Sequence, residues 1–322
     1  MTHAGAIVAV EEAFWDDRDA VGACLREPVA RIPPWFGYDE RGSELFEEIT
    51  ELPTYYLTRV ERDLLHRHSE QIAELIDCAR LAELGSGSAR KTQLLLAACQ
   101  RRRLTTYLPI DVSREMLRRS GAELRTAVPG LRVTGLWGRY EAGLARLREA
   151  ADPVVVAFFG SNLGNTTPAE RDTLLAAITA TLRPGDGFLV SVDLIKPAAR
   201  FDRCYNDPPG CSAFARFRLN HLTHLNRRFG SAFDLATFAP TARYDPAAAV
   251  VEGHLVATSD QRVPVPGLGL TLALRQGEVI NVGLSAKFDR DEFIGDVGAH
   301  GLAHQAEWID PDQAYGIFLF RR

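Results

Sequence analysis

Between about residues 81 and 193, short apolar runs alternate with amphipathic stretches, the pattern of a parallel sheet wrapped by helices. Candidate strands fall at 81–84, 105–110, 131–136, 154–159 and 187–192, with helical periodicity between them. After Lys196 and Pro197 the rhythm changes. A polar and aromatic stretch over 198–229 is followed by β-like alternation over 242–285, which reads as a different module. A helical pattern near 290–301 and two apolar runs at 306–309 and 316–320, divided by Pro311, Asp312 and Gln313, predict a helix and a terminal hairpin. The opening segment carries Pro28, Pro33 and Pro34, then Trp35, Phe36, Gly37 and Tyr38. It reads as extended chain belonging to no sheet, leading into a helix near 42–49. The fold class expected from this pattern is α/β, a doubly wound sheet with a second α+β domain.

Composition narrows the class of protein. The 322 residues suffice for two domains or one domain with a large insertion. Apolar residues at 46% and charged residues at 25% exclude a disordered or fibrous chain. A net charge of -5 leaves no basic field for a phosphate backbone, so nucleic acid is not expected as a partner. The densest basic run, Arg101, Arg102 and Arg103, falls where a helix should end and suits the negative end of its dipole. Cys24, Cys78, Cys99, Cys204 and Cys211 are scattered without a C-x-x-C pair. Reduced cytoplasmic thiols are therefore expected, and no metal site. Neither a secretion signal nor a membrane span is expected, because residues 1–17 carry acids and no apolar run approaches eighteen residues.

The candidate chemistry begins at Glu83-Leu84-Gly85-Ser86-Gly87-Ser88, where a strand turns into a helix. Glycines there let a ligand approach the backbone while free N–H groups face an anion. The third glycine of a dinucleotide motif is replaced by Arg90, which argues against a nicotinamide dehydrogenase. S-adenosylmethionine, with a carboxylate and a sulfonium, makes the smaller demand that this turn meets. Lys91 opposes the dipole of the following helix and is unfavourable without a partner, which a ligand carboxylate would supply. Asp111 stands where doubly wound folds set an acid against ribose hydroxyls, or else caps the helix near Ser113. Gly160, Asn162, Gly164 and Asn165 form a close-approach floor after the fourth strand. Asn165 either holds an amine or carboxylate, or caps the helix after Thr167 and Pro168.

In five ordered blocks the chain resembles the histidine-specific methyltransferases of ergothioneine biosynthesis and the amino-acid α-N-methyltransferases related to them. The blocks are 38–46 (YDERGSELF), 52–59 (LPTYYLTR), 83–88 (ELGSGS), 160–165 (GSNLGN) and 183–186 (RPGD). The resemblance implies a class I, Rossmann-like methyltransferase domain over 60–196 plus 285–322, and a substrate-binding domain over 1–59 plus 197–284. It implies that Gly85, Ser86, Gly87, Lys91, Asp111 and Tyr140 contact S-adenosylmethionine. Tyr38, Phe46, Tyr55, Gly160, Asn162, Asn165 and Tyr205 would surround the amino acid, with Asn165 and Tyr205 on its carboxylate. Tyr38 would lie beside the amine as the catalytic residue. A monomeric enzyme of secondary metabolism acting on a small molecule is expected.

The chain departs from the histidine enzymes at four places, the smallest being Asn162 in place of a Thr near the substrate amine. Gly283 stands where they carry a Glu that grips the imidazole, just before Ser285 in Ser285-Ala286-Lys287-Phe288, and Gly253 stands where they carry a Met. Losing a charge-assisted hydrogen bond removes about 1.5–3 kcal/mol. The expected acceptor is therefore bulkier and less polar than histidine, such as tryptophan or a substituted tryptophan. Arg139 occupies the position of an acid beside the adenine, with Tyr140 and Glu141 next to it. Alternatives are histidine methylation to the trimethylated betaine, and a methyltransferase-like protein that binds without turnover.

Overall fold

The computed structural model describes residues 6–12, 14–150 and 152–322. Its strands in chain order are β1 (Ile7–Ala9), β2 (Arg80–Leu84), β3 (Thr106–Asp111), β4 (Arg132–Val133), β5 (Gly135–Trp137), β6 (Val154–Phe158) and β7 (Gly187–Asp193). They continue with β8 (Phe238–Asp245), β9 (Val250–Ala257), β10 (Gln261–Val265), β11 (Leu270–Leu274), β12 (Val279–Ala286), β13 (Ala303–Asp310) and β14 (Tyr315–Arg321). The chain clusters into two compact units. The larger takes residues 1–12, 56–195 and 287–322, and the smaller takes 13–55 and 196–286.

In the larger unit the described strands join in the order β1-β5-β3-β2-β6-β7-β14-β13, with β4 beside β3. The pairs from β1 to β7 are parallel, and β14 enters antiparallel between β7 and β13. β6 and β7 are buried along their whole length, which matches the apolar run of β6, the mostly apolar β7 with its paired Ser191 and Asp193, and the cover a parallel sheet needs on both faces. Successive strands run outward from β2 through β3 to β5, then from β6 to β7 on the other side, so the order reverses between β2 and β6. Ligands of open α/β sheets bind at such a switch point, beyond the carboxyl ends of the strands. The turns after Leu84 and Phe158 both leave there.

Two expectations needed correction. The run 131–136 is not one strand. It breaks at Thr134 into β4 and β5, because the chain there passes from pairing with β3 alone to being shared between β3 and β1. The opening segment, expected to belong to no sheet, supplies β1, whose Ile7, Val8 and Ala9 pair with Gly135, Leu136 and Trp137.

The smaller unit has a three-stranded sheet, β12-β9-β8, and the ribbon β10-β11 among its described residues. Its core gathers Phe36, Leu222, Leu225, Phe229, Leu255 and Ile280. Phe36 stacks on His224 at 4.1 Å and on Phe229 at 5.9 Å between ring centroids. Among the described residues no helix is long and apolar enough to cross a membrane.

Candidate functional site

The larger unit assembles the glycine turn. Gly85 (φ +65°) and Gly87 (φ +51°) carry the chain from β2 toward the helix Thr92–Arg102 through left-handed backbone, which glycine adopts without a Cβ penalty. A Cβ on Gly85 would lie 2.8 Å from the Tyr140 hydroxyl and 3.3 Å from Asn162 Nδ2. One on Gly87 would meet nothing within 4 Å, so the backbone there borders open space. Gly87 N–H donates to Asp111 Oδ2 at 2.9 Å, and Ser113 N–H donates to Oδ1 at 2.8 Å. Burial pushes the Asp111 carboxyl above its usual range, and these backbone donors oppose the shift. Each oxygen retains a further lone pair for a ribose hydroxyl. Ser113, not Asp111, caps the helix Arg114–Ala127. Ser86 is buried between the two glycines.

Lys91 immediately precedes the helix Thr92–Arg102, and its partner is a protein carboxylate. Its Nζ pairs with Glu61, a fully buried acid on the helix Leu57–Ile76. Glu61 also accepts the Gly160 N–H at 2.7 Å, the Tyr315 hydroxyl at 3.0 Å and the Ser191 hydroxyl. A Cβ on Gly160 (φ +80°) would lie 3.2 Å from Lys91 Nζ. Glu61 thus ties the lysine of the glycine turn to the loop after β6. Sequence reasoning missed it, although an acid within the buried stripe Leu57, Val60, Leu64 and Leu65 is a signal in itself.

That loop is held from a second side. Asp193 N–H donates to Ser161 Oγ at 3.0 Å, and Asp193 forms a buried ion pair with Lys287 at 2.9 Å. The Tyr56 hydroxyl donates to both Asp193 oxygens, at 3.0 and 2.8 Å. Asn165 Nδ2 donates to Asn162 Oδ1 at 3.2 Å. The helix Pro168–Thr181 is capped not by Asn165 but by Thr167, in a capping box with Glu170.

Glu83 is buried in β2, where Thr92 Oγ1 (2.9 Å) and the Tyr107 hydroxyl donate to it. Desolvation raises its pKa to about 7 against the hydrogen bonds and the charge of Lys91. Arg139, at the position expected to hold an acid, pairs with Glu11, which follows β1. Nε reaches Oε1 at 2.8 Å, and the backbone N–H of Arg139 reaches Oε2 at 3.1 Å. A carboxylate therefore stands beside the turn after β5, supplied from a distant stretch of chain.

The smaller unit brings together the other predicted residues. Tyr38, Phe46, Tyr55 and Tyr205 form a series of ring contacts at 5.5, 6.2 and 6.2 Å. Phe217 touches Tyr38 and Phe46, and Phe214 touches Tyr55 and Tyr205, both from the helix Ala213–Phe229. Asp39 locks this arrangement. It caps the helix Glu40–Thr50 through Gly42 N–H at 2.8 Å and accepts Asn220 Nδ2 at 2.7 Å and Arg227 Nη2 at 2.8 Å. The Tyr205 hydroxyl and Ser285 Oγ lie 2.9 Å apart. Gly253 and Gly283 face each other across β9 and β12, beside an irregularity between Asn281 and Gly283. A Cβ on Gly283 would meet nothing within 4 Å, but one on Gly253 would lie 3.3 Å from Arg218 Nε. The less polar wall expected at Gly253 is thus bordered by a guanidinium that sequence reasoning did not count.

Among the described residues no group of three or more His, Cys, Asp or Glu could hold a metal ion. The residues present fit S-adenosylmethionine: a glycine cradle beside open space, a lysine near its base and an acid closing β3. The strand order, with one antiparallel strand entering beside β7, and the glycine turn after β2 make the larger unit a doubly wound α/β sheet with a cofactor turn at its switch point. Residues 17–322 match the family described as histidine-specific, SAM-dependent methyltransferases, and the chain belongs to that family. It is 35% identical over 303 residues to the histidine N-alpha-methyltransferase of Mycobacterium tuberculosis, covering 94% of this chain and 93% of the relative. The same protein of Mycolicibacterium smegmatis matches to the same extent. The 4-dimethylallyltryptophan N-methyltransferase of Epichloe festucae var. lolii is 24% identical over 311 residues, covering 89% of each chain. The protein is an S-adenosylmethionine-dependent N-methyltransferase.

Proposed function

We propose that the protein methylates the α-nitrogen of a free amino acid with a bulky aromatic side chain, such as tryptophan or a substituted tryptophan. The observation that carries this reading is the facing pair Gly253 and Gly283, the latter on the strand whose Ser285 meets Tyr205 of the aromatic series, with open space at the Gly283 Cβ position. In this reading the larger unit holds S-adenosylmethionine through Gly85, Ser86, Gly87, Lys91, Asp111 and Tyr140. The smaller unit holds the amino acid through Tyr38, Phe46, Tyr55, Tyr205 and Ser285. The loop residues Gly160, Asn162 and Asn165 serve the acceptor, Asn165 and Tyr205 taking its carboxylate.

When bound, the cofactor supplies an electrophilic methyl group for in-line displacement. The chain's own residues need only orient a neutral amine and exclude water, so no protein nucleophile is required. Tyr38, half-buried against Phe46 and Phe217, would accept a hydrogen bond from the amine and assist loss of its proton. Lys91 would meet the cofactor carboxylate and Asp111 its ribose.

Histidine is the second reading, favoured by the two mycobacterial relatives. Incubation with methyl-labelled S-adenosylmethionine and a panel of amino acids, followed by mass spectrometry, separates the two. The expected result is label on the α-nitrogen of tryptophan or its derivatives well ahead of histidine. Faster labelling of histidine would overturn the aromatic assignment. We expect the enzyme to work as a cytoplasmic monomer.

A further inference from the structure

Arg218 is only 5% exposed. Among the described residues its one hydrogen bond runs from Nη2 to the Tyr205 carbonyl at 2.6 Å. Its guanidinium lies 5.0 Å from the Phe214 ring centroid, the ring that touches both Tyr55 and Tyr205. The acid nearest in effect, Asp207, commits its two oxygens to the N–H groups of Phe214 and Ala215 at 2.9 Å each. Glu252 accepts Asn281 Nδ2 at 3.2 Å and lies 3.4 Å from His254 Nε2. A guanidinium offers five N–H donors, and burying one without a bonded carboxylate is costly. Desolvation accordingly lowers its pKa to about 10, an unusual displacement for an arginine.

The donors left over have a direction. Nε lies 3.3 Å from where a Cβ on Gly253 would stand, and Gly253 pairs across the sheet with Gly283, where a Cβ would meet open space. No side chain of either glycine separates the guanidinium from that space. We propose that Arg218 is a specificity-determining residue of the acceptor site. The amino acid methylated then carries, at the far end of its side chain, an anionic or strongly hydrogen-bond-accepting oxygen. This rests on the reading above that Tyr55, Tyr205, Gly253 and Gly283 line the acceptor site, and it narrows the substituted aromatic class to members ending in such an oxygen.

The test compares L-phenylalanine, 4-carboxy-L-phenylalanine and 4-aminomethyl-L-phenylalanine as acceptors, with calorimetric binding of each in the presence of S-adenosylhomocysteine. For the wild-type enzyme, kcat/KM and affinity should favour the carboxylate over phenylalanine by about ten- to hundredfold, with the cationic analogue last. Arg218→Met should bring the carboxylate and phenylalanine to within about threefold of each other. Arg218→Lys should retain part of the preference, which bare packing would not. Equal wild-type use of the three acceptors, or an Arg218→Met variant that lowers all three by one common factor, would overturn the proposal. If Arg218→Met does not fold, the wild-type ranking and Arg218→Lys decide. Methylation of no amino acid, histidine included, would instead overturn the acceptor reading on which the proposal stands.

Discussion

Glu61 and Lys91 form an ion pair in which the acid is fully buried and the lysine is one-fifth exposed. Because Glu61 also receives Gly160 N–H, Ser191 and Tyr315, removing either partner leaves a different fault. Lys91→Met strands a buried carboxylate, a change that costs about 3–5 kcal/mol in comparable pairs. Glu61→Gln keeps the shape and should cost less, about 1–3 kcal/mol. Urea unfolding should rank the two in that order, and calorimetry should find S-adenosylmethionine binding weakened in both. Unchanged cofactor affinity in Glu61→Gln would detach the pair from cofactor binding.

Asp111→Asn replaces an acceptor by an NH2 that confronts either Gly87 N–H or Ser113 N–H. The turn should lose about 1–3 kcal/mol of stability, with at least tenfold weaker cofactor affinity. Thermal melts and titration with S-adenosylhomocysteine measure the two effects separately.

Gly283→Glu inserts a carboxylate where a Cβ meets no neighbour, so folding stability should change by less than about 0.5 kcal/mol. The ratio of kcat/KM for histidine to that for tryptophan should rise about tenfold or more. A variant that folds and shows the wild-type ratio would remove Gly283 from substrate selection.

Gly42→Ala places its Cβ 1.8 Å from the Gly37 carbonyl oxygen, and Gly37→Ala places one 2.2 Å from Nε2 of the buried His221. Backbone cannot yield as a side-chain tip can. Both variants should lose several kcal/mol, of the order of 3 or more, in urea unfolding.

Burial raises the Glu83 pKa from 4.5 to about 7, so the folded state holds its proton more tightly than the unfolded chain. The stabilisation from this group is complete below 4.5 and is lost as pH rises through 7. Glu83→Gln should therefore lower the melting temperature less at pH 8 than at pH 5, read from paired melts at the two values. An equal loss at both would mean that Glu83 is ionised throughout.

Much of the larger unit was legible because its signals are local. Apolar runs with helical spacing announce parallel strands and crossovers, and Gly85 and Gly87 mark a turn whatever lies around it. The break at Thr134 and the strand β1 were not legible. Strand pairing depends on which neighbour is present, and Ile7–Ala9 is too short to declare itself. Arg139 read alone looked like a missing acid, yet Glu11 sits beside it from a segment 128 residues away.

The amino-acid sequence by itself determined the α/β rhythm, the glycine turn with Lys91 and Asp111, and the family to which the chain belongs, since these depend on residue type and close spacing. The tertiary structure alone decided the partners. Glu61 meets Lys91, Asp193 meets Lys287, and Arg218 comes to lie beside Gly253, which faces Gly283 across the sheet. Electrostatics act through space, and a buried charge takes its meaning from the few groups within hydrogen-bonding reach, which only the folded chain brings there.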